Sequence, residues 1–267
     1  MRDRLKKICI ALPTLAVLAW ADCAPPARAA EQGTVRVAAA ADLRFTMDEI
    51  VEAFRRERPA LDLLVTYGSS GNFYAQLSNR APFDIFFSAD VDYPRRLIRQ
   101  GLALADSEFI YGVGRLVVWV PRNSPIEVEK LGMQALRSPS VRRIAIANPR
   151  HAPYGRAAEA VMKSLGVFDH VKDRLVLGDS VMQTAQFVDS GAAEVGIISH
   201  SLAQAPPLRD KGRFWEVPID AYPRREQGGV ILSWAKDRPA AEGLRDFVLT
   251  EGGRTILRRH GFRLQGE

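Results

Sequence analysis

Residues 34–71 read TVRVAAAADLRFTMDEIVEAFRRERPALDLLVTYGSSG, an apolar run, a helix-period segment and a second apolar run in succession. Residues 34–40 form a short apolar strand. In 43–56 the apolar residues Leu43, Met47, Ile50, Val51 and Phe54 share one helical face, and 61–67 is a second strand. The alternation continues with a helix at 71–77, a strand at 84–87 and a helix at 93–100. This β-α-β-α-β-α order is the pattern of a mainly parallel sheet flanked by helices.

A second round starts at a long strand, 115–121. A helix at 128–136, a strand at 144–147, a helix at 155–165, a strand at 174–177, a helix at 182–189 and a strand at 195–199 follow. Residues 206–222 read as a loop-rich connection, 228–234 as another apolar strand, and 239–259 as a helix broken at Gly252-Gly253. The expected fold is therefore α/β with two lobes, each a mixed, mainly parallel sheet flanked by helices. The strands near 115–121 and 228–235 make the crossings, so that 30–114 and 228–267 form the first lobe and 115–227 the second. Two lobes joined by two crossings suit a hinged clamp. Its ligand should sit outside the carboxyl ends of the strands, and Trp119 and Trp234 are expected to pack at the hinge.

The chain has 267 residues, 47% hydrophobic and 25% charged, with a net charge of +6. Residues 1–29 carry a secretory signal pattern: basic Arg2, Arg4, Lys6 and Lys7, an apolar run over 8–21, and the small-residue site Ala27-Arg28-Ala29. The apolar run, broken by Pro13, falls short of the roughly 20 residues that span a bilayer. A lipoprotein anchor at Cys23 is disfavoured, because Trp20-Ala21-Asp22 is a poor lipobox. Cleavage removes five basic and two acidic residues, leaving 32 basic and 29 acidic, or +3. That balance makes no case for a nucleic-acid partner. Both cysteines, Cys9 and Cys23, leave as well, which excludes thiol chemistry and Cys-zinc sites from the exported chain.

The strand ends carry the chemistry. Ala38-Ala39-Ala40-Ala41-Asp42, Tyr67-Gly68-Ser69-Ser70-Gly71, the segment 148–155 and Gly178-Asp179-Ser180-Val181 each run directly into a helix. Small residues let backbone approach a ligand, and helix starts offer unpaired N–H groups with a partial positive charge. Several such starts facing one cleft form an anion site without Lys or Arg. Singly, Asp42, Ser70 and Ser180 are also what N-caps look like.

These motifs, with Ala81-Pro82-Phe83-Asp84-Ile85-Phe86-Phe87-Ser88-Ala89-Asp90, Ala147-Asn148-Pro149, His151-Ala152-Pro153-Tyr154-Gly155 and Val195-Gly196-Ile197-Ile198, give a chain that resembles the periplasmic molybdate-binding proteins of ABC transporters along essentially its whole exported length. The resemblance implies a two-lobed periplasmic binding protein fold, a monomer without catalysis or cofactor, molybdate or tungstate as ligand, and an ABC permease as partner. It places the oxyanion contacts on Asp42, Ser70, Tyr154, Val181 and Ser199. Backbone N–H groups serve at Tyr154 and Val181, and both hydroxyl and N–H serve at Ser70. Two positions depart from the usual pattern: Asp42 stands where a Ser usually donates, and Ser199 where a Tyr hydroxyl often reaches the anion.

Asp42 is the informative departure, because an ionised carboxylate and a metal oxyanion both only accept hydrogen bonds. The expectation is that Asp42 turns its side chain to cap the helix and offers only its N–H. The alternatives are a site for a protonated anion such as hydrogen phosphate, or a direct carboxylate-to-metal contact. Tyr154 either closes over the ligand or packs against the opposite lobe. Arg150 and His151 read as solvated loop residues, His200 as structural, and Asp90 and Asp92 as helix-start carboxylates. No Gly-x-Ser-x-Gly elbow, dinucleotide fingerprint or Walker loop is present, and His151, His170, His200 and His260 lack metal-ligand spacing. The rival readings are a receptor for phosphate, sulfate or a small organic anion, and an exported α/β hydrolase or transferase.

Overall fold

The computed structural model describes residues 33–223 and 225–267, so the expected signal segment lies outside the described residues. The first lobe begins with β1 (Thr34–Ala40), a 3-10 turn (Ala41–Leu43) and α1 (Arg44–Glu57). It continues through β2 (Asp62–Gly68), α2 (Ser70–Ser78), β3 (Ile85–Ser88), α3 (Asp92–Arg99) and β4 (Phe109–Val113). The second lobe contains β5 (Leu116–Pro121), α4 (Val128–Leu131), β6 (Ile144–Ala147), α5 (Pro153–Ser164), α6 (Phe168–Val171), β7 (Leu175–Gly178) and α7 (Val181–Asp189). It ends with β8 (Val195–Ser199), α8 (His200–Gln204), α9 (Pro206–Arg209) and β9 (Gly212–Glu216). The chain then returns as β10 (Glu226–Ile231), α10 (Arg238–Leu249) and α11 (Glu251–Arg259).

Each lobe holds one five-stranded mixed sheet, ordered β2-β1-β3-β10-β4 and β7-β6-β8-β5-β9. The strands β1, β2 and β3 are parallel, as are β6, β7 and β8, while β10 and β5 run antiparallel to their neighbours. The registers Ala40↔Gly68 and Ala147↔Gly178 align the carboxyl ends of paired strands, so the helix starts that follow emerge side by side.

The two faces of the first sheet bury separate cores. Val35, Val37, Ile50, Phe54 and Phe87 pack with the C-terminal helices on one face, and Phe73, Leu77, Phe86 and Leu97 pack with α2 and α3 on the other. The second lobe has one core that extends across the cleft to Ala40, Ala41 and Ala89. Burial of such side chains stabilises by about 1.5–3 kcal/mol each.

Several expectations are corrected. Trp119 is fully buried within the second lobe, and Trp234 packs in the first with its indole N–H donating to the Ala81 carbonyl at 3.2 Å, so neither marks the hinge. At the crossings Arg115 instead bonds the Gly261 carbonyl, Glu216 and His200, and the Tyr222 hydroxyl accepts the Leu116 N–H. The loop-rich stretch 206–222 contains α9 and the edge strand β9, and β4 was not legible in the sequence. The C-terminal helix breaks at Thr250, whose hydroxyl caps α11 by accepting the Gly253 N–H, so Gly252 and Gly253 lie inside the first turn of α11.

Candidate functional site

Between the lobes lies a small cavity lined by Asp42, Ser69, Ser70 and Ala89 from the first lobe and by Pro153, Tyr154 and Val181 from the second. Four helix starts converge there: the 3-10 turn ahead of α1, and the first residues of α2, α5 and α7. The opening N–H groups of a helix have no acceptor within it, and each helix dipole adds a partial positive charge at that end. Among the described residues no Lys or Arg lines the cavity. The arrangement supplies donors and a positive field without a counter-ion.

The structure thus brings together four of the five expected contacts: Asp42, Ser70, Tyr154 and Val181. Ser199 is not among the lining residues. Its buried hydroxyl caps α8 by accepting the Leu202 N–H at 3.3 Å, and it lies 3.1 Å from the Ser201 hydroxyl, which donates to the Asp42 carbonyl at 2.9 Å. Ser70 does not cap α2; Ser69 does, accepting the Asn72 N–H. The Ser70 oxygen accepts the Ala89 N–H at 2.9 Å, which leaves the hydroxyl proton to donate. Ser180 caps α7 by accepting the Gln183 N–H.

Asp42 overturns the capping expectation. It lies inside the 3-10 turn, where the cap position is Ala40, and no side-chain cap bond forms at either helix start. Its Oδ2 instead accepts the Tyr154 hydroxyl from the other lobe and the Gln227 amide, both at 2.9 Å, and the Gln227 amide also donates to the Tyr154 oxygen at 3.0 Å. Oδ1 is buried without a partner. Burial pushes the Asp42 carboxyl up to about 6, against the opposing effects of the Gln227 amide, the Tyr154 hydroxyl and its own backbone N–H. A raised carboxyl means that the folded chain holds a proton which the unfolded chain has lost, so stability falls as pH rises from about 4 to 6. Asp42→Asn removes that penalty. Without ligand, the variant should be more stable at pH 7 by on the order of 2–3 kcal/mol, with the difference closing by pH 4, as read from denaturant unfolding at both pH values.

Tyr154 lines the cavity, and its hydroxyl reaches Asp42 of the opposite lobe. Gln227 was missed, because the strand reading began one residue later. It sits at a register shift between β10 and β4, and such bulges re-aim side chains. A buried polar residue opening an otherwise apolar strand was the available signal.

Other contacts close the lobes over the cavity. His151 is not a solvated loop residue: its Nδ1 bonds the Ser69 hydroxyl at 3.0 Å, and its carbonyl accepts the Gly71 N–H at 2.9 Å. Arg150 is exposed, as expected. Asn72 donates to both Asp179 carboxylate oxygens at 3.2 Å. Asp90 accepts the Asp92 N–H at the start of α3, and it also binds Arg156 of the second lobe at 2.8 Å and Arg225 at 2.9 Å. His200 is structural. Burial and Arg115 push it down to about 4, so it is neutral at pH 7.

The family model of the bacterial extracellular solute-binding proteins matches residues 35–263. The chain is 36% identical over 237 residues to the molybdate-binding protein ModA of Azotobacter vinelandii, covering 89% of this chain and 92% of that one. It is 35% identical over 233 residues to ModA of Rhodobacter capsulatus, covering 87% and 89%. The solved periplasmic molybdate-binding protein of Azotobacter vinelandii superposes with a TM-score of 0.81 at 30% identity, over 86% of this chain and 99% of that chain.

Proposed function

The chain belongs to the bacterial extracellular solute-binding protein family, and from that premise we propose that it is the periplasmic component of an ABC importer, capturing molybdate or tungstate between its lobes and delivering it to the permease. The observation that carries this reading is the convergence of four helix starts on one cavity whose lining, among the described residues, includes no cationic side chain. Molybdate and tungstate offer only acceptors, and the cavity meets them with N–H groups and the free proton of Ser70. The relatives at 35–36% identity are molybdate-binding proteins. No catalytic step or cofactor enters the account.

The lobes, taken as 30–114 with 228–267 and as 115–227, act as a clamp that closes on the anion. Export through the segment 1–29 places the monomer in the periplasm. The permease would meet the rim of both lobes, whose relative orientation reports closure. Sulfate shares the charge and acceptor pattern of molybdate, so selection between them rests on cavity size.

A thermal-shift panel tests the reading, because a ligand bound only by the folded state raises stability with its concentration. Molybdate and tungstate at micromolar levels should raise the melting temperature while sulfate and phosphate do not. No response to either metal oxyanion overturns the reading; a response to phosphate or sulfate alone assigns a different anion. Within it, Ser70→Ala removes one donor to a charged acceptor, a bond worth about 1.5–3 kcal/mol. Molybdate affinity should fall roughly ten- to a hundredfold by calorimetry.

A further inference from the structure

We propose that Asp42 takes part in anion capture as a neutral carboxylic acid, its Oδ1–H donating to one oxyanion oxygen, so that each captured dianion brings one proton into the site. The proposal rests on the oxyanion reading above and concerns the protonation state of the same site.

The geometry fixes which oxygen carries the proton. Oδ2 is occupied as an acceptor by the Tyr154 hydroxyl and the Gln227 amide. Oδ1 is buried and has no partner among the described residues, while Asp42 lines the cavity. A buried polar atom without a partner is costly, and an ionised one beside a dianion adds repulsion between two acceptor-only groups. Protonation at Oδ1 removes both costs and supplies a donor. Among the described residues no cation bonds the carboxylate: Arg225, which lines the adjoining cavity with Tyr154, Tyr222 and Gln227, pairs with Asp90 at 2.9 Å. Tyr154 on α5 and Tyr111 on β4 are both held neutral by burial. On α8, His200 is engaged by Arg115. On the flanking α1 and β2, Arg44 and Tyr67 both bind Asp48. The burial that raises the Asp42 carboxyl to about 6 acts in the same direction, and a bound dianion raises it further.

The balance is simple. Solvent supplies one proton to Oδ1 on binding, and that proton returns to solvent on release. Molybdate is fully ionised near neutral pH, so the proton belongs to the protein. By linkage, the dissociation constant should rise about tenfold per pH unit above pH 6.

Asp42→Asn places an amide N–H where Oδ1–H stood and keeps an acceptor for Tyr154 and Gln227. Molybdate calorimetry at pH 8, in buffers of different ionisation enthalpy, should show uptake of about one proton per anion for the native chain and none for Asp42→Asn. From pH 6 to pH 8 native affinity should fall about a hundredfold, while that of the variant stays level and exceeds the native value at pH 8. Binding by the native chain with no proton uptake and a level pH profile overturns the proposal and leaves the oxyanion reading intact. If the variant also loses binding at every pH, the carboxylate contacts the metal directly. Should Asp42→Asn fail to fold, proton uptake by the native chain decides alone. No binding of molybdate or tungstate between pH 5 and pH 8 overturns both.

Discussion

Gly71→Ala should abolish tight anion binding while leaving the free protein at least as stable. Gly71 sits in the first turn of α2, and its N–H donates to the His151 carbonyl of the opposite lobe at 2.9 Å. A Cβ there would overlap that carbonyl oxygen and lie 2.8 Å from the Tyr93 hydroxyl. A backbone carbonyl cannot rotate aside as a side chain does, so the lobes must part. Ala is the better helix former by about 1 kcal/mol, which favours the open molecule. If parting removes two of the bonds from helix starts to a charged ligand, each worth about 1.5–3 kcal/mol, affinity falls more than a hundredfold. The opposite movement of the two quantities separates blocked closure from misfolding. Affinity within threefold of the native value would show that the lobes do not need this approach.

The second large effect is expected at Asp90. Its carboxylate is buried, and one oxygen accepts both Arg156 and Arg225. Breaking a buried pair by removing one partner costs about 3–5 kcal/mol. Because both guanidiniums keep partial contact with water, the lower end applies. Asp90→Ala should therefore reduce unfolding free energy by about 3 kcal/mol and also weaken anion binding, since Arg156 reaches across from the second lobe. In a double-mutant cycle with Arg156→Ala, the two losses in affinity should be less than additive. Full additivity would mean that the pair stabilises the fold without fastening the lobes.

The helix starts of the 3-10 turn, α2 and α7 were legible because each follows its strand within two residues and begins with small or capping residues, and that of α5 because Pro153 stands at its first position. Those features are local, and local geometry makes them. The edge strand β9 was hidden because it pairs only with β5 and carries little apolar pattern of its own. The role of Asp42 was misread for a related reason. A carboxylate at a helix start caps by default, but one residue of offset places Asp42 inside a 3-10 turn, from which its side chain extends to residues 112 and 185 positions away. Such partners exist only in the assembled cleft. The same holds for Asp90, whose sequence neighbours announce a helix start and say nothing of the two arginines. Ser199 came from resemblance alone, and its oxygen accepts the Leu202 N–H and the Ser201 hydroxyl within the second lobe.

The converging helix starts should hold a metal oxyanion. Anomalous diffraction at the molybdenum edge, from crystals grown with saturating molybdate, tests it most directly. The expected map has a single strong peak enclosed between the lobes, with oxygens at hydrogen-bond distance from the Ser70 hydroxyl and from the N–H groups of Tyr154 and Val181. A peak elsewhere on the chain, or none between the lobes, would contradict it.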